Sequence, residues 1–285
     1  MLSWLHATGS IPLDRPRIVG IVNVTPDSFS DGGLFRNVDD ARRQIDRLVE
    51  EGADVVDIGG ESTRPQGATE VTDEEEKARV LPVIAAALTD HPGIPVSIDT
   101  TKSAVAGAAL EIGASIVNDV SAFRLDAQMP AVCARAKAGV VLMHSRGGVT
   151  DMATFVHANY DGDVVGQCIA ELESSVVTAK EAGIARDSVV LDPGIGFSKR
   201  GEHSLAVLAG VNRFVALGFP VLVGVSRKRF IGEVTGTPIA TERVWGTVGA
   251  NVAALMGGAR LFRVHDVRPN RHALDVAWAI MSKSA

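Results

Sequence analysis

The chain is poor in several residues and patterns that mark protein classes. Only two of its 285 residues are cysteines, Cys133 and Cys168. Each falls in an apolar helical pattern, so both read as small core side chains, and neither a disulfide framework nor a cysteine-based metal site is expected. The seven histidines and two cysteines form no HExxH or CxxC, which leaves structural zinc without support. No apolar run approaches the roughly 18 residues of a membrane span. The opening MLSWLHATGS has no basic stretch leading into an apolar one, so no signal peptide is expected. There is no basic excess: 28 Lys and Arg against 34 Asp and Glu leave a net charge of −6. A basic face for nucleic acid is therefore not expected. G-x-G-x-x-G after the first strand, GxxxxGK[ST] and G-x-S-x-G are all absent, so dinucleotide, P-loop and serine-hydrolase readings have no footing. A 46% hydrophobic and 22% charged composition is ordinary for a globular protein. With so little cysteine, it points to the cytoplasm.

What is present is an alternation. β-branched runs at Ile18–Val24, Val55–Ile58, Val96–Ile98, Ser115–Val117, Val140–Met143, Val189–Leu191, Val221–Val225 and Arg260–Val264 read as strands. After each comes a stretch of helical period, at 38–51, 73–90, 102–111, 127–138, 163–182, 202–217, 241–256 and 269–282. Thr72 three residues before Glu75 is a capping box for the second of these, with Glu74 and Glu76 favouring the positive helix end. Eight strand–helix units, with strands apolar on both faces, predict a parallel (β/α)8 TIM barrel forming a single domain over 1–285. The strand-to-helix connections are long, at 25–37, 59–72, 144–162, 193–201 and 226–240. In such a barrel these loops share the face at the strand C-termini, where chemistry sits.

Polar residues stand at those ends. Arg64, Lys228, Arg263 and His265 are donors suited to clamping an anion. Asn23 and Thr63 are neutral oxygen ligands suited to hydrated Mg2+ or phosphate. Asp99, Asn118 and Asp192 form an acceptor–donor edge suited to an amino-heterocycle. The mouth thus reads as built for a polyphosphate at one end and a nitrogen heterocycle at the other. In Asp192-Pro-Gly-Ile-Gly-Phe197, the two glycines permit positive φ and close backbone approach. His144, Ser145 and Arg146, after the fifth strand, receive no role.

The strings Asn23-Val-Thr-Pro-Asp-Ser-Phe-Ser-Asp-Gly-Gly33, Asp57-Ile-Gly-Gly-Glu-Ser-Thr-Arg-Pro65, Ser97-Ile-Asp-Thr100, Asn118-Asp119, Asp192-Pro-Gly-Ile-Gly-Phe197, Ser226-Arg-Lys228 and Arg263-Val-His-Asp266 run in order from the first strand to the last. Together they resemble the dihydropteroate synthase family. The resemblance implies condensation of (7,8-dihydropterin-6-yl)methyl diphosphate with 4-aminobenzoate, with Mg2+, in a cytoplasmic homodimer of the class that sulfonamides target. It implies pterin contacts from Asp99, Asn118, Asp192 and Lys228, with Met143 and Phe197 beside the ring. It implies diphosphate contacts from Asn23, Thr63, Arg263 and His265, with Asn23 on the metal. The aminobenzoate pocket would draw on Phe29, Thr63, Arg64, Pro65, Phe197, Ser226 and Lys228, with Asp99, Lys228 and Arg64 as the catalytic set. One departure stands out: Gln66 lies between Arg64-Pro65 and Gly67, where the family more often goes directly to glycine. A methyltransferase that moves a methyl group from a tetrahydrofolate would share Asp99, Asn118 and Asp192. It would not need the cationic Lys228, Arg263 and His265.

Overall fold

In the computed structural model of the chain, residues 2–24, 34–61 and 71–283 are described, without the side chains of 34–37. Each β-branched run forms a strand. In chain order the elements open with β1 (Ser3–His6), β2 (Gly9–Pro12), β3 (Arg17–Asn23), α1 (Leu34–Glu50), β4 (Val55–Gly59), α2 (Asp73–Asp90), β5 (Val96–Asp99), α3 (Ser103–Glu111), β6 (Ile116–Asp119), α4 (Met129–Ala136) and β7 (Gly139–Met143). They continue with α5 (Val164–Glu181), β8 (Val189–Asp192), α6 (Gly201–Ala209), α7 (Val211–Val215), β9 (Leu222–Val223), α8 (Arg229–Thr235), α9 (Val244–Met256), β10 (Leu261–Val264) and α10 (Val267–Met281). Eight parallel strands run in the order β8-β7-β6-β5-β4-β3-β10-β9. A parallel bridge between Leu191 and Val221 joins β8 to β9 and closes the ring. This is the expected TIM barrel.

Side chains alternate across each strand. One set packs outward on the helices in the main core, including Ile18, Val22, Val56, Ile58, Val140 and Leu191. The other set points inward, and its lower layer is apolar: Val19, Val55, Ile116, Val141, Val190, Leu222 and Leu261. The antiparallel β1–β2 hairpin seals this lower layer. Trp4, Ile11 and Leu13 join the same cluster, Trp4 Nε1 donates to Ser188 O at 2.9 Å, and Ala7 N donates to Ser115 O at 3.2 Å. The bottom of the barrel is thus plugged, which leaves the C-terminal face for the site.

Some local expectations change. A hairpin in which Trp4 faces Ile11 lies ahead of the first barrel run. The expected 202–217 helix breaks at Gly210 into α6 and α7. The strand expected at Val221–Val225 is two residues long. The 226–240 connection carries α8, one short helix, because Phe230 and Ile231 bury against the core. Thr72 caps α2 as expected, its Oγ1 accepting from Glu75 N at 3.2 Å. No helix among the described residues is long and apolar enough to cross a membrane.

Candidate active site

The strand register places the polar ends side by side. Asn23 pairs with Gly59, Gly59 with Asp99, and Asp99 with Asn118, while Asp192 pairs with Met143. Missing side chains keep the space above the floor open. A Cβ on Gly59 would lie 3.4 Å from Asp99 Cβ. One on Gly224 would lie 3.6 Å from Asp192 Oδ2 and 3.9 Å from Arg263 Cβ, so Asp192 and Arg263 face each other across that glycine.

A charge network ties the row together. Arg263 Nε donates to Asp57 Oδ2 and Nη2 to Asp99 Oδ2, both at 2.6 Å. Asn118 Nδ2 donates to the same Asp57 oxygen at 3.1 Å. Burial pushes the Asp99 carboxyl up to about 7; Arg263 opposes that shift and Asp57 adds to it. Burial alone would lower the Arg263 pKa, but Asp57 and Asp99 outweigh it and hold the guanidinium charged. Arg263, expected as an anion clamp, therefore has two donors already held by carboxylates.

Across the mouth, Lys228 Nζ donates to Ile195 O and sits 4.4 Å from the centre of the Phe197 ring. Burial brings its pKa down to about 7, with Asp192 opposing. Burial likewise raises the Asp192 carboxyl, against the pull of Lys228. Gly194 N donates to Asp192 Oδ1 at 2.7 Å. Gly194 and Gly196 hold φ of +66° and +83°, and a Cβ on Gly194 would sit 1.8 Å from His144 O. Only glycine fits there. Met143, Val120, Val149 and Met152 form an apolar cluster against which Phe197 packs.

Ser226 and Lys228 flank Arg227, whose backbone is left-handed at φ +59°. Thr247 Oγ1 accepts from Arg227 N at 3.0 Å and Arg243 Nη1 donates to Arg227 O at 3.1 Å, which holds this strained turn. The Arg227 side chain turns away to Asp266, with Nε 2.8 Å from Oδ2. His265 N donates to Ser226 Oγ at 3.1 Å, and that hydroxyl lies 2.9 Å from His265 Nδ1. The hydroxyl can donate to Nδ1 or accept from it, according to the ring's tautomer.

The structure thus gathers Asp99, Asn118, Asp192, Lys228, Arg263, Met143 and Phe197 at one mouth, with Asn23 in the same strand row and Ser226 and His265 paired. Phe29, Thr63, Arg64, Pro65 and Gln66 lie outside the described residues.

A profile of the pterin binding enzyme family matches residues 19–265. A dihydropteroate synthase of Synechocystis sp. is 43% identical over 266 residues, covering 93% of this chain and 90% of that protein. One from Neisseria meningitidis serogroup B is 42% identical over 278 residues, covering 96% and 95%. The chain belongs to the dihydropteroate synthase family. Among solved family members, the Xanthomonas albilineans dihydropteroate synthase with 4-aminobenzoic acid superposes at a TM-score of 0.89, with 45% identity and 96% of both chains covered. The Thermus thermophilus enzyme in complex with 6HMPPP gives 0.83, with 43% identity and 98% and 99% covered.

Four groups stand out that the sequence did not assign. Asp57 was visible only as the head of a motif string, yet it braces Arg263 and Asn118 together. Its signal was a carboxylate inside an apolar strand, in the inward register of Val55 and Gly59. Glu61 ties the chain at its own loop, accepting from Lys102 Nζ at 2.8 Å and Val71 N at 3.0 Å; Glu76 takes the same ammonium at 2.7 Å. His144 and Lys199 form a buried pair, with Nδ1 and Nζ 2.8 Å apart. Asp119 caps its own turn, accepting from Ser121 N and Phe123 N, each at 2.8 Å.

Among the described residues no group of three His, Cys, Asp or Glu side chains could hold a metal. Asn23, in the strand row of the mouth, carries a neutral amide oxygen, the kind of single protein ligand that suits Mg2+, which keeps most of its waters and leans on substrate phosphates.

The pKa of Lys228 sets a pH dependence. A lysine whose folded pKa is lowered to about 7 is cationic below that pH and neutral above it. The kcat/KM profile, which reports the free enzyme, is expected to fall on its alkaline side from about pH 7. Removing the Asp192 charge withdraws support for the ammonium, so Asp192→Asn moves that limb to lower pH. A limb that ignores this substitution contradicts the arrangement.

Proposed function

We propose that the chain joins 4-aminobenzoate to (7,8-dihydropterin-6-yl)methyl diphosphate, releasing 7,8-dihydropteroate and diphosphate. The carrying observation is that the acceptors Asp99, Asn118 and Asp192 stand together at the mouth with the cations Lys228 and Arg263 set among them. The solved T. thermophilus relative with 6HMPPP and the X. albilineans relatives with 4-aminobenzoic acid and with 7,8-dihydropteroate support it.

In this reading Asp192 and Asn118 take the hydrogen-bonding edge of the pterin, and Met143 and Phe197 pack beside its plane. Lys228, Arg263 and His265 face the diphosphate. Asn23 would hold Mg2+, which would supply further neutralisation of the leaving group. The C–O bond at the pterin methylene breaks and its electron pair departs on diphosphate. The amine of 4-aminobenzoate then forms the C–N bond and gives up a proton to diphosphate or water. Bond breaking runs ahead because the dihydropterin delocalises the positive charge, and Asp99 stabilises that charge from below. A neutral arylamine needs alignment and exclusion of water rather than a strong base.

Pyrophosphate release decides the matter. It is expected only when both 4-aminobenzoate and the pterin diphosphate are present, with one dihydropteroate formed per diphosphate. Tight pterin binding with no release would remove the assignment.

The homodimer is proposed on the same footing. On α9, Trp245 is 76% exposed and Met256 70%, and α10 adds exposed Val276 and Ile280. Leu255, on the same helix, belongs to the core. Sedimentation equilibrium is expected to return twice the chain mass, and Trp245→Asp to return single chains. A monomer at high concentration would sink the proposal.

A further inference from the structure

Among the described residues Lys199 is the one lysine in the set of fully buried large side chains, only 1% exposed. Its ammonium makes three contacts: Gly194 O at 3.0 Å, Phe197 O at 3.1 Å and His144 Nδ1 at 2.8 Å. Three donors meet three acceptors. For Nδ1 to accept, His144 must be neutral with its proton on Nε2. That matches Nε2 lying 3.0 Å from Glu171 Oε2, and burial and Lys199 bring the imidazole down to about 4. Glu171 is in turn held by Arg146 Nε at 3.0 Å.

The anchored segment is the one that serves the site. Gly194, gripped at its carbonyl by Lys199, donates its N–H to Asp192 Oδ1 at 2.7 Å. Phe197, gripped at its carbonyl, carries the ring beside Lys228 Nζ. Ser198 turns Lys199 inward from a left-handed backbone at φ +49°, and its N–H donates to Met152 O at 2.7 Å. His144, the third contact, follows Met143 and takes Asp192 O on its N–H at 2.9 Å.

We propose that Lys199 is a positioning residue for Asp192. Its ammonium fixes Gly194, whose N–H orients the Asp192 carboxylate, and locks the 193–197 loop to the end of β7. This rests on the pterin reading of Asp192 given above. A buried ammonium is costly unless fully hydrogen-bonded, and here each bond is made to the loop or to the histidine that braces it. A neutral side chain of the same length fills the space but leaves the loop carbonyls without donors, so Asp192 loses its alignment.

The test is a double-mutant cycle read by calorimetric titration with (7,8-dihydropterin-6-yl)methyl diphosphate. Circular dichroism and thermal melting establish that each variant is folded. Lys199→Met is expected to weaken binding about tenfold in the native background and less than about twofold when Asp192→Asn is already present. Lys199→Gln, which keeps a shorter N–H donor, is expected to fall between and carries the test if the methionine variant does not fold. Equal losses in both backgrounds would reduce Lys199 to a general structural staple and overturn the proposal, as would native affinity in a folded Lys199→Met. Failure of the unsubstituted chain to bind the pterin diphosphate would instead overturn the functional reading, and this inference with it.

Discussion

One guanidinium underlies the arrangement of the mouth. The closed barrel brings Asp57 and Asp99 together above an apolar floor, where two like charges repel and are poorly solvated. Arg263 donates to each at 2.6 Å and makes the pair tolerable. Asn118 is drawn into the same arrangement through Asp57. Removing Arg263 alone would leave both carboxylates uncompensated, a loss of about 3–5 kcal/mol for a buried pair broken on one side. In the proposed reaction the same arrangement would serve chemistry: Asp99, which burial pushes up to about 7, would be the carboxyl that meets a positive charge developing on the pterin methylene.

The barrel sets this geometry by a simple register. Two residues beyond five of the seven inward floor residues stands a mouth side chain on the same face: Val55 then Asp57, Ile116 then Asn118, Val141 then Met143, Val190 then Asp192, Leu261 then Arg263. The apolar floor gives rigidity, and the residue two positions on lines the mouth. The hairpin plug at Trp4 completes the floor from below, so the strand ends above it face a sealed base.

That register explains what was readable beforehand. Strand runs, helical periods and polar strand ends were local signals, and they located Asp99, Asn118, Asp192, Lys228 and Arg263. The pairings were not local. Asp57 and Arg263 are 206 residues apart and meet only when the ring closes. Nothing in the neighbours of Lys199 announced that Ser198 would turn it inward onto His144, 55 positions earlier. The short β9 and the helix inside the 226–240 connection escaped for a related reason: tertiary packing of Phe230 and Ile231 overrode a loop-like composition.

The claim that Arg263 balances the buried carboxylates is open to direct measurement. With 13Cγ-labelled aspartate, and Asp99→Asn to assign its signal, the Asp99 carboxyl can be titrated by NMR. The account predicts a midpoint near 7 in the native chain, moving further upward in Arg263→Met, because the guanidinium is the group that holds it down. A midpoint at the ordinary value of about 4 in both proteins would contradict it.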